Sequence, residues 1–131
     1  MTLESMKFSR VIVEDLRLFS NLTFLDLGDN RINLESLSSL SSLKELHLQC
    51  NGIQKFGNLE GFRQLLVLDL SYNNILPSEI IKLSKLRKLQ HLDLSHNDLD
   101  QLPEMEQFTS LEVLNLQQNL LNEECFYKLT R

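Results

Sequence analysis

Leu22-Thr23-Phe24-Leu25-Asp26-Leu27-Gly28-Asp29-Asn30-Arg31-Ile32 decides the fold, because four further stretches are written to the same rule. Read as L-x-x-L-x-L-x-x-N-x-L/I, the pattern returns at Leu43 to Ile53, Leu65 to Ile75, Leu89 to Leu99 and Leu111 to Leu121. Every leucine-type position and every Asn is filled. Asn30, Asn51, Asn73, Asn97 and Asn119 are separated by 21, 22, 24 and 22 residues. Five matches in fixed phase imply an array of like coils. Each coil buries its leucines against its neighbours, so length adds units rather than thickness.

Within each copy the alternation at the fourth and sixth positions predicts a short strand with both leucines facing inward. The strands stack in parallel as a one-sided sheet. The Asn stands where the chain turns away from that sheet. Its amide both donates and accepts, so the five Asn residues are expected to form a structural ladder between coils. Losing one leaves backbone groups unpaired, at a cost of roughly 1–3 kcal/mol.

The return segments carry a second rhythm, an apolar residue every three positions. Ile53, Phe56, Leu59, Phe62 and Leu65 show it, as do Leu99, Leu102, Met105, Phe108 and Leu111. Ile32, Leu37, Leu40 and Leu43 form a similar row broken at Glu35. A period near three predicts 3₁₀ helix or short α turns. The segment from Ile75 to Leu89 is two residues longer than its neighbours, and Pro77-Ser78-Glu79 predicts the start of an α-helical turn or two.

The ends are less regular. Leu3, Met6, Phe8, Val11 and Val13 fall at the spacing of a degenerate unit in which Val11 replaces the Asn. Terminal repeats are commonly atypical because one side meets water. Residues 1–21 are therefore expected to be an N-terminal capping repeat, 22–121 five repeats, and the whole chain, 1–131, a single domain with about six strands. Residues 122–131, with Glu123 and Glu124 before Lys128 and Arg131, predict a partial helical cap or the start of a further repeat.

A net charge of −5 and a pI near 5.1 argue against a nucleic-acid binder. No apolar run approaches the ~18 residues of a membrane span, and no signal sequence is visible. Cys50 and Cys125 are about three repeats apart, roughly 14 Å at the usual strand spacing, too far for a disulfide. A reducing, intracellular and cytoplasmic setting is the expectation, with nucleus and cilium left open.

The short repeats resemble the intracellular class of leucine-rich repeat found in a regulatory subunit of protein phosphatase 1 and in an axonemal dynein light chain. The likeness rests on the 21–22-residue length and on Ile53-x-x-Phe56-x-x-Leu59-x-x-Phe62. The third repeat departs toward a longer class at Leu76-Pro77-Ser78-Glu79-Ile80. The resemblance implies an α/β leucine-rich repeat solenoid, a right-handed superhelix that binds other proteins on its concave sheet. It does not name the partner, since the fold serves many.

Positions between the leucines are expected to be free of core duty and to stand in rows on the concave face. The third position gives Phe24, Glu45, Val67, His91 and Val113, and the fifth gives Asp26, His47, Asp69, Asp93 and Asn115. The seventh gives Gly28, Gln49, Ser71, Ser95 and Gln117, and the eighth gives Asp29, Cys50, Tyr72, His96 and Gln118. Aromatic and apolar anchors in a polar surround are the makings of a protein-binding surface. The candidate binding residues are Phe24, Asp26, His47, Val67, Asp69, Tyr72, His91, Asp93, His96, Val113 and Asn115. The competing reading is that Asp69 and Asp93 are consensus residues of the repeat.

A metal site built from His47, Asp69, His91 and Asp93 is disfavoured, because adjacent strands hold side chains parallel rather than converging. No activated nucleophile, phosphate-binding loop or enclosed pocket is visible, so the chain reads as no enzyme, with no cofactor. Lys82, Lys85, Arg87 and Lys88 read as a solvated convex face. The expected function is a protein-interaction module or scaffold that holds a basic or helical partner segment on its concave sheet. The alternative is a structural assembly element of a larger complex, using the convex face and end-on association at the C-terminal edge.

Overall fold

The structure, a computed structural model, describes residues 2–3, 21–127 and 129. Six strands form one parallel sheet in chain order: β1 (Thr2–Leu3), β2 (Phe24–Asp26), β3 (Glu45–His47), β4 (Val67–Asp69), β5 (His91–Asp93) and β6 (Val113–Asn115). From β2 onward each residue pairs with its equivalent one repeat later, so Leu25, Leu46, Leu68, Leu92 and Leu114 lie in one line. In β2, β3 and β4 the central Leu is buried and its two neighbours are half-buried, as alternation requires. The chain is an α/β leucine-rich repeat solenoid, with few and short helices.

β1 corrects the phase expected at the N-terminus. Leu3 pairs with Leu25 and so takes the fourth position of its coil, where Met6 was expected. The strand therefore lies three residues earlier. A coil without the Asn has no ladder amide to fix its phase. Met6, Phe8, Val11 and Val13 lie outside the described residues.

The core is a spine of leucines between sheet and return segments. The sixth-position Leu27, Leu48, Leu70 and Leu94 are fully buried beneath it. Behind them stand residues three apart: Leu34, Leu37, Leu40 and Leu43, then Phe56, Leu59, Phe62 and Leu65, then Ile80, Leu83, Leu86 and Leu89. Leu34 was missed by the sequence reading, and it makes the first row continuous where Glu35 had broken it.

Return segments differ in their backbone. Glu35–Leu37, Pro77–Lys85 and Met105–Gln107 are 3₁₀ helices. The expected α turns after Pro77 are therefore 3₁₀. Three residues per turn keep Ile80, Leu83 and Leu86 on one line toward the core, whereas an α-helix would rotate them progressively away. Between Ile53 and Leu65 there is no helix at all. Gly57 there has φ +69°, and a Cβ on Gly61 would collide with the Ser38 carbonyl of the preceding coil. Only glycine allows so close a pass.

The Asn ladder joins coil to coil in one direction. Arg31 and Ile32 backbone N–H groups donate to Asn51 Oδ1 at 2.7 and 2.8 Å. Asn51 and Ile53 donate to Asn73 at 2.9 and 3.0 Å, Ile75 donates to Asn97 at 3.2 Å, and Asn97 and Leu99 donate to Asn119 at 3.1 and 2.9 Å. Each Asn Nδ2 in turn donates to a carbonyl of the preceding coil: Leu27 for Asn51, Leu48 for Asn73, Leu70 for Asn97 and Leu94 for Asn119. Asn30 donates within its own coil, to Leu27 and Gly28. Asn51, Asn73 and Asn97 are buried, and the two end members are half-buried.

The third repeat adds a tie outside the ladder. Glu79 Oε1 accepts from the Phe56 N–H at 3.0 Å, reaching back one whole coil. Its other oxygen pairs with Lys82 Nζ at 2.9 Å. The Lys82 contact, together with the Phe56 amide, holds this carboxyl below the usual glutamate range against the opposing effect of burial.

At the other end the spine thins. Leu111, Leu114 and Leu116 are only half-buried, and Val113, Leu120 and Phe126 are exposed. Helix α1 (Glu123–Tyr127) follows, and Cys125 is buried, with its Sγ 3.6 Å from the Asp100 carbonyl.

Candidate functional site

Alternation along the strands puts the third and fifth positions on the open face of the sheet, the side expected to be concave. The third row runs Phe24, Glu45, Val67, His91, Val113 and the fifth runs Asp26, His47, Asp69, Asp93, Asn115, each residue beside the next. All the candidate residues of β2 to β6 thus share one surface. Tyr72 and His96 lie at the turns that leave β4 and β5. Their rings stack with centroids 4.1 Å apart and planes 8° from parallel.

The fifth-position acids carry a structural duty that the sequence reading did not give them. Asp69 Oδ1 accepts from the Ser71 N–H at 2.9 Å and from its hydroxyl at 2.7 Å. Asp93 Oδ1 receives the same pair from Ser95 at 2.9 and 2.7 Å. Asp26 accepts from the Gly28 N–H, and Asn115 from the Gln117 N–H, each at 3.0 Å. This is the Asx turn, in which a carboxylate closes the backbone two residues on. One oxygen of each carboxylate is thereby fixed, which also fixes where the other points.

His47 is the electrostatic centre of the face. Its Nε2 lies 3.0 Å from Glu45 Oε2 and its Nδ1 3.4 Å from Asp69 Oδ2. Phe24 flanks the ring at a centroid distance of 5.3 Å. Hydrogen bonding to Asp69 raises the His47 pKa most, Glu45 adds to it, and partial burial opposes; the result is about 9 against an ordinary 6.5. The imidazole is therefore a cation at neutral pH. Asp69 is pushed up by burial, but its bonds to His47 and Ser71 outweigh this and lower its pKa overall. With both ring nitrogens engaged as donors, His47 offers no lone pair to a metal. Among the described residues no group of three or more His, Cys, Asp or Glu side chains is arranged to hold a metal ion.

The face sinks into a shallow depression of ≈ 240 Å³ that runs from His47 on β3 to Val113 and Asn115 on β6. Val67 and Val113 form apolar walls, with His91, Asp69, Asp93 and Asn115 around them. Asp93 Oδ2 has no hydrogen-bond partner among the described residues. The exposed Cys50 is no activated nucleophile, since local desolvation and the Asp29 carboxylate push its thiol up.

The eighth position has a backbone signature that the sequence did not announce. Asp29, Cys50, Tyr72, His96 and Gln118 all have φ between 54° and 60°. Five non-glycine residues in the left-handed region, one per repeat, mark the place where every coil leaves the sheet.

Comparison with known proteins agrees with this geometry. Leucine-rich repeat family profiles match residues 41–99 and 20–41. X-ray radiation resistance-associated protein 1 of Mus musculus is 33% identical over 82 residues, covering 60% of this chain and 10% of that protein. MAP kinase phosphatase with leucine-rich repeats protein 1 of Dictyostelium discoideum is 40% identical over 74 residues, covering 52% of this chain and 9% of that protein. The chain thus spans about a tenth of the length of both relatives. A crystal structure of an internalin from Listeria monocytogenes superposes with a TM-score of 0.78 at 21% identity, over 98% of this chain and 37% of that one.

The chain belongs to the leucine-rich repeat proteins. Domains of this family generally mediate protein–protein interaction and are typically non-catalytic. Among the described residues no helix is long and apolar enough to cross a membrane.

Proposed function

We propose that this chain is a non-catalytic binding module that takes a segment of a partner protein on the open face of its sheet. The observation that carries this reading is the registered pair of rows. Side chains that do no core work are displayed there as apolar walls beside oriented charges. Phe24, Val67, His91, Val113 and the stacked Tyr72–His96 pair supply contact area, while Asp26, Asp69 and Asp93 favour a basic segment. Because His47 already neutralises Asp69, the attraction falls unevenly along the row. The setting proposed for this activity is intracellular.

A photoreactive benzophenone side chain at position 91 tests the reading. It should cross-link the partner from cell extract, while the same group at position 63, exposed on the return side, should not. Cross-linking from position 63 alone would remove the sheet face from the account. That outcome would favour a second reading, for which Val113, Leu120 and Phe126 speak. They leave the C-terminal edge apolar and partly uncovered, as an element that stacks end-on in a larger assembly would be.

A further inference from the structure

We infer that the depression running from His47 to β6 is an anchor site, at its Asp93 end, for a single arginine side chain of the partner. The inference rests on the sheet-face reading and sharpens it to one residue. Its volume, ≈ 240 Å³, falls below the roughly 300–1,000 Å³ of pockets that enclose whole small molecules, and is on the scale of one side chain. Val67 and Val113 line it with apolar surface suited to an aliphatic stem.

The charge that such a stem would deliver is set by two adjacent carboxylates. Ser71 and Ser95 each hold one oxygen of Asp69 and Asp93, which are paired residues of neighbouring strands; Asp69 Oδ2 lies 3.4 Å from His47 Nδ1, and Asp93 Oδ2 is left open. The molecule displays what this row accepts. On one side of Asp69 the protonated His47 ring lies between Glu45 and the Asp69 Oδ2, supplied by the chain itself. On the other side, Asp93 has Asp69 and Asn115 as its row neighbours, and neither is a cation. The partner completes there the pairing that His47 makes one strand earlier. The open Asp93 oxygen beside an exposed aromatic ring suits a planar donor better than a point charge, which selects arginine over lysine. The exposed His91 lies beside the site and gives the guanidinium plane a ring to stack on.

The test uses N-acetyl-arginine methylamide, with the lysine and citrulline analogues as controls, titrated into the full isotope-labelled chain. Methyl resonances of Val67 and Val113 and the ring resonances of His91 report binding. The arginine probe should shift all three saturably in the millimolar range, citrulline should not, and lysine should bind several-fold more weakly. Asp93→Asn keeps the oxygen that Ser95 needs and should weaken the arginine probe at least tenfold. Glu60→Gln, exposed on a return segment away from the sheet face, should leave it unchanged. An equal response to citrulline, an equal response to lysine, or binding that survives Asp93→Asn would each overturn the assignment. A null titration alongside intact cross-linking from position 91 would sink the arginine anchor and spare the binding face. Loss of both would sink the face itself.

Discussion

Among single residues, His47 has the clearest solution signature. Its folded pKa of about 9 lies above the ordinary 6.5 because Asp69 and Glu45 hold the proton. The pairing therefore stabilises the fold fully below pH 6.5, while Asp69 remains ionised, and is lost as pH rises through 9. The unfolding free energy from urea titrations should fall across that window by an amount on the order of 1 kcal/mol, since solvent reaches the pair and screens it. His47→Gln should flatten the profile. A second test concerns the backbone. Cys50 is exposed at φ 58°, so Cys50→Gly should relieve left-handed strain and raise stability by roughly 0.5–1 kcal/mol. Cys50→Val should lower it. The same swap at Tyr72 should not help, because it removes one ring of the stack with His96.

The return segments show where reading by pattern works and where it stops. The strands were legible because one phase recurs five times, and so was the register of Phe24, Glu45, Val67, His91 and Val113. The three-residue rhythm correctly marked Phe56, Leu59 and Phe62 as core. It did not mark Leu34, whose burial depends on how the first coil closes rather than on its nearest neighbours. Nor did it separate 3₁₀ helix from α-helix after Pro77. Glu79 was legible only as a helix start, because its partner at Phe56 lies a full coil away. The duty of Asp69 and Asp93 did have a local signal, the Asp-x-Ser spacing of an Asx turn. Glu79→Ala should cost about 1–3 kcal/mol by leaving the buried Phe56 N–H unpaired. Amide exchange at Phe56 should accelerate with it, while Lys82→Ala, which removes only the outer partner, should cost less.

At the scale of the whole molecule, stability in a stacked array is a sum of coils and the interfaces between them. The inner coils have a neighbour on both sides, whereas β6 has Leu114 and Leu116 only half-buried and Val113 exposed. Native-state hydrogen exchange should therefore be slowest in β3, β4 and β5 and measurably faster in β6. Uniform protection across the sheet would mean that the array opens as one unit. The one-way Asn ladder has a further consequence. Within the ladder, the backbone N–H groups at each turn are completed by the Asn of the coil that follows. Shortening the chain from its C-terminal side strands those amides, so clipping off Asn119 leaves Asn97 and Leu99 without their acceptor. Shortening it from the opposite side takes away carbonyls instead, Leu27 from the Asn51 side chain and Thr23 from the Lys44 and Glu45 N–H groups. A ribosome releasing this polypeptide thus always holds back the piece that finishes the turn already outside.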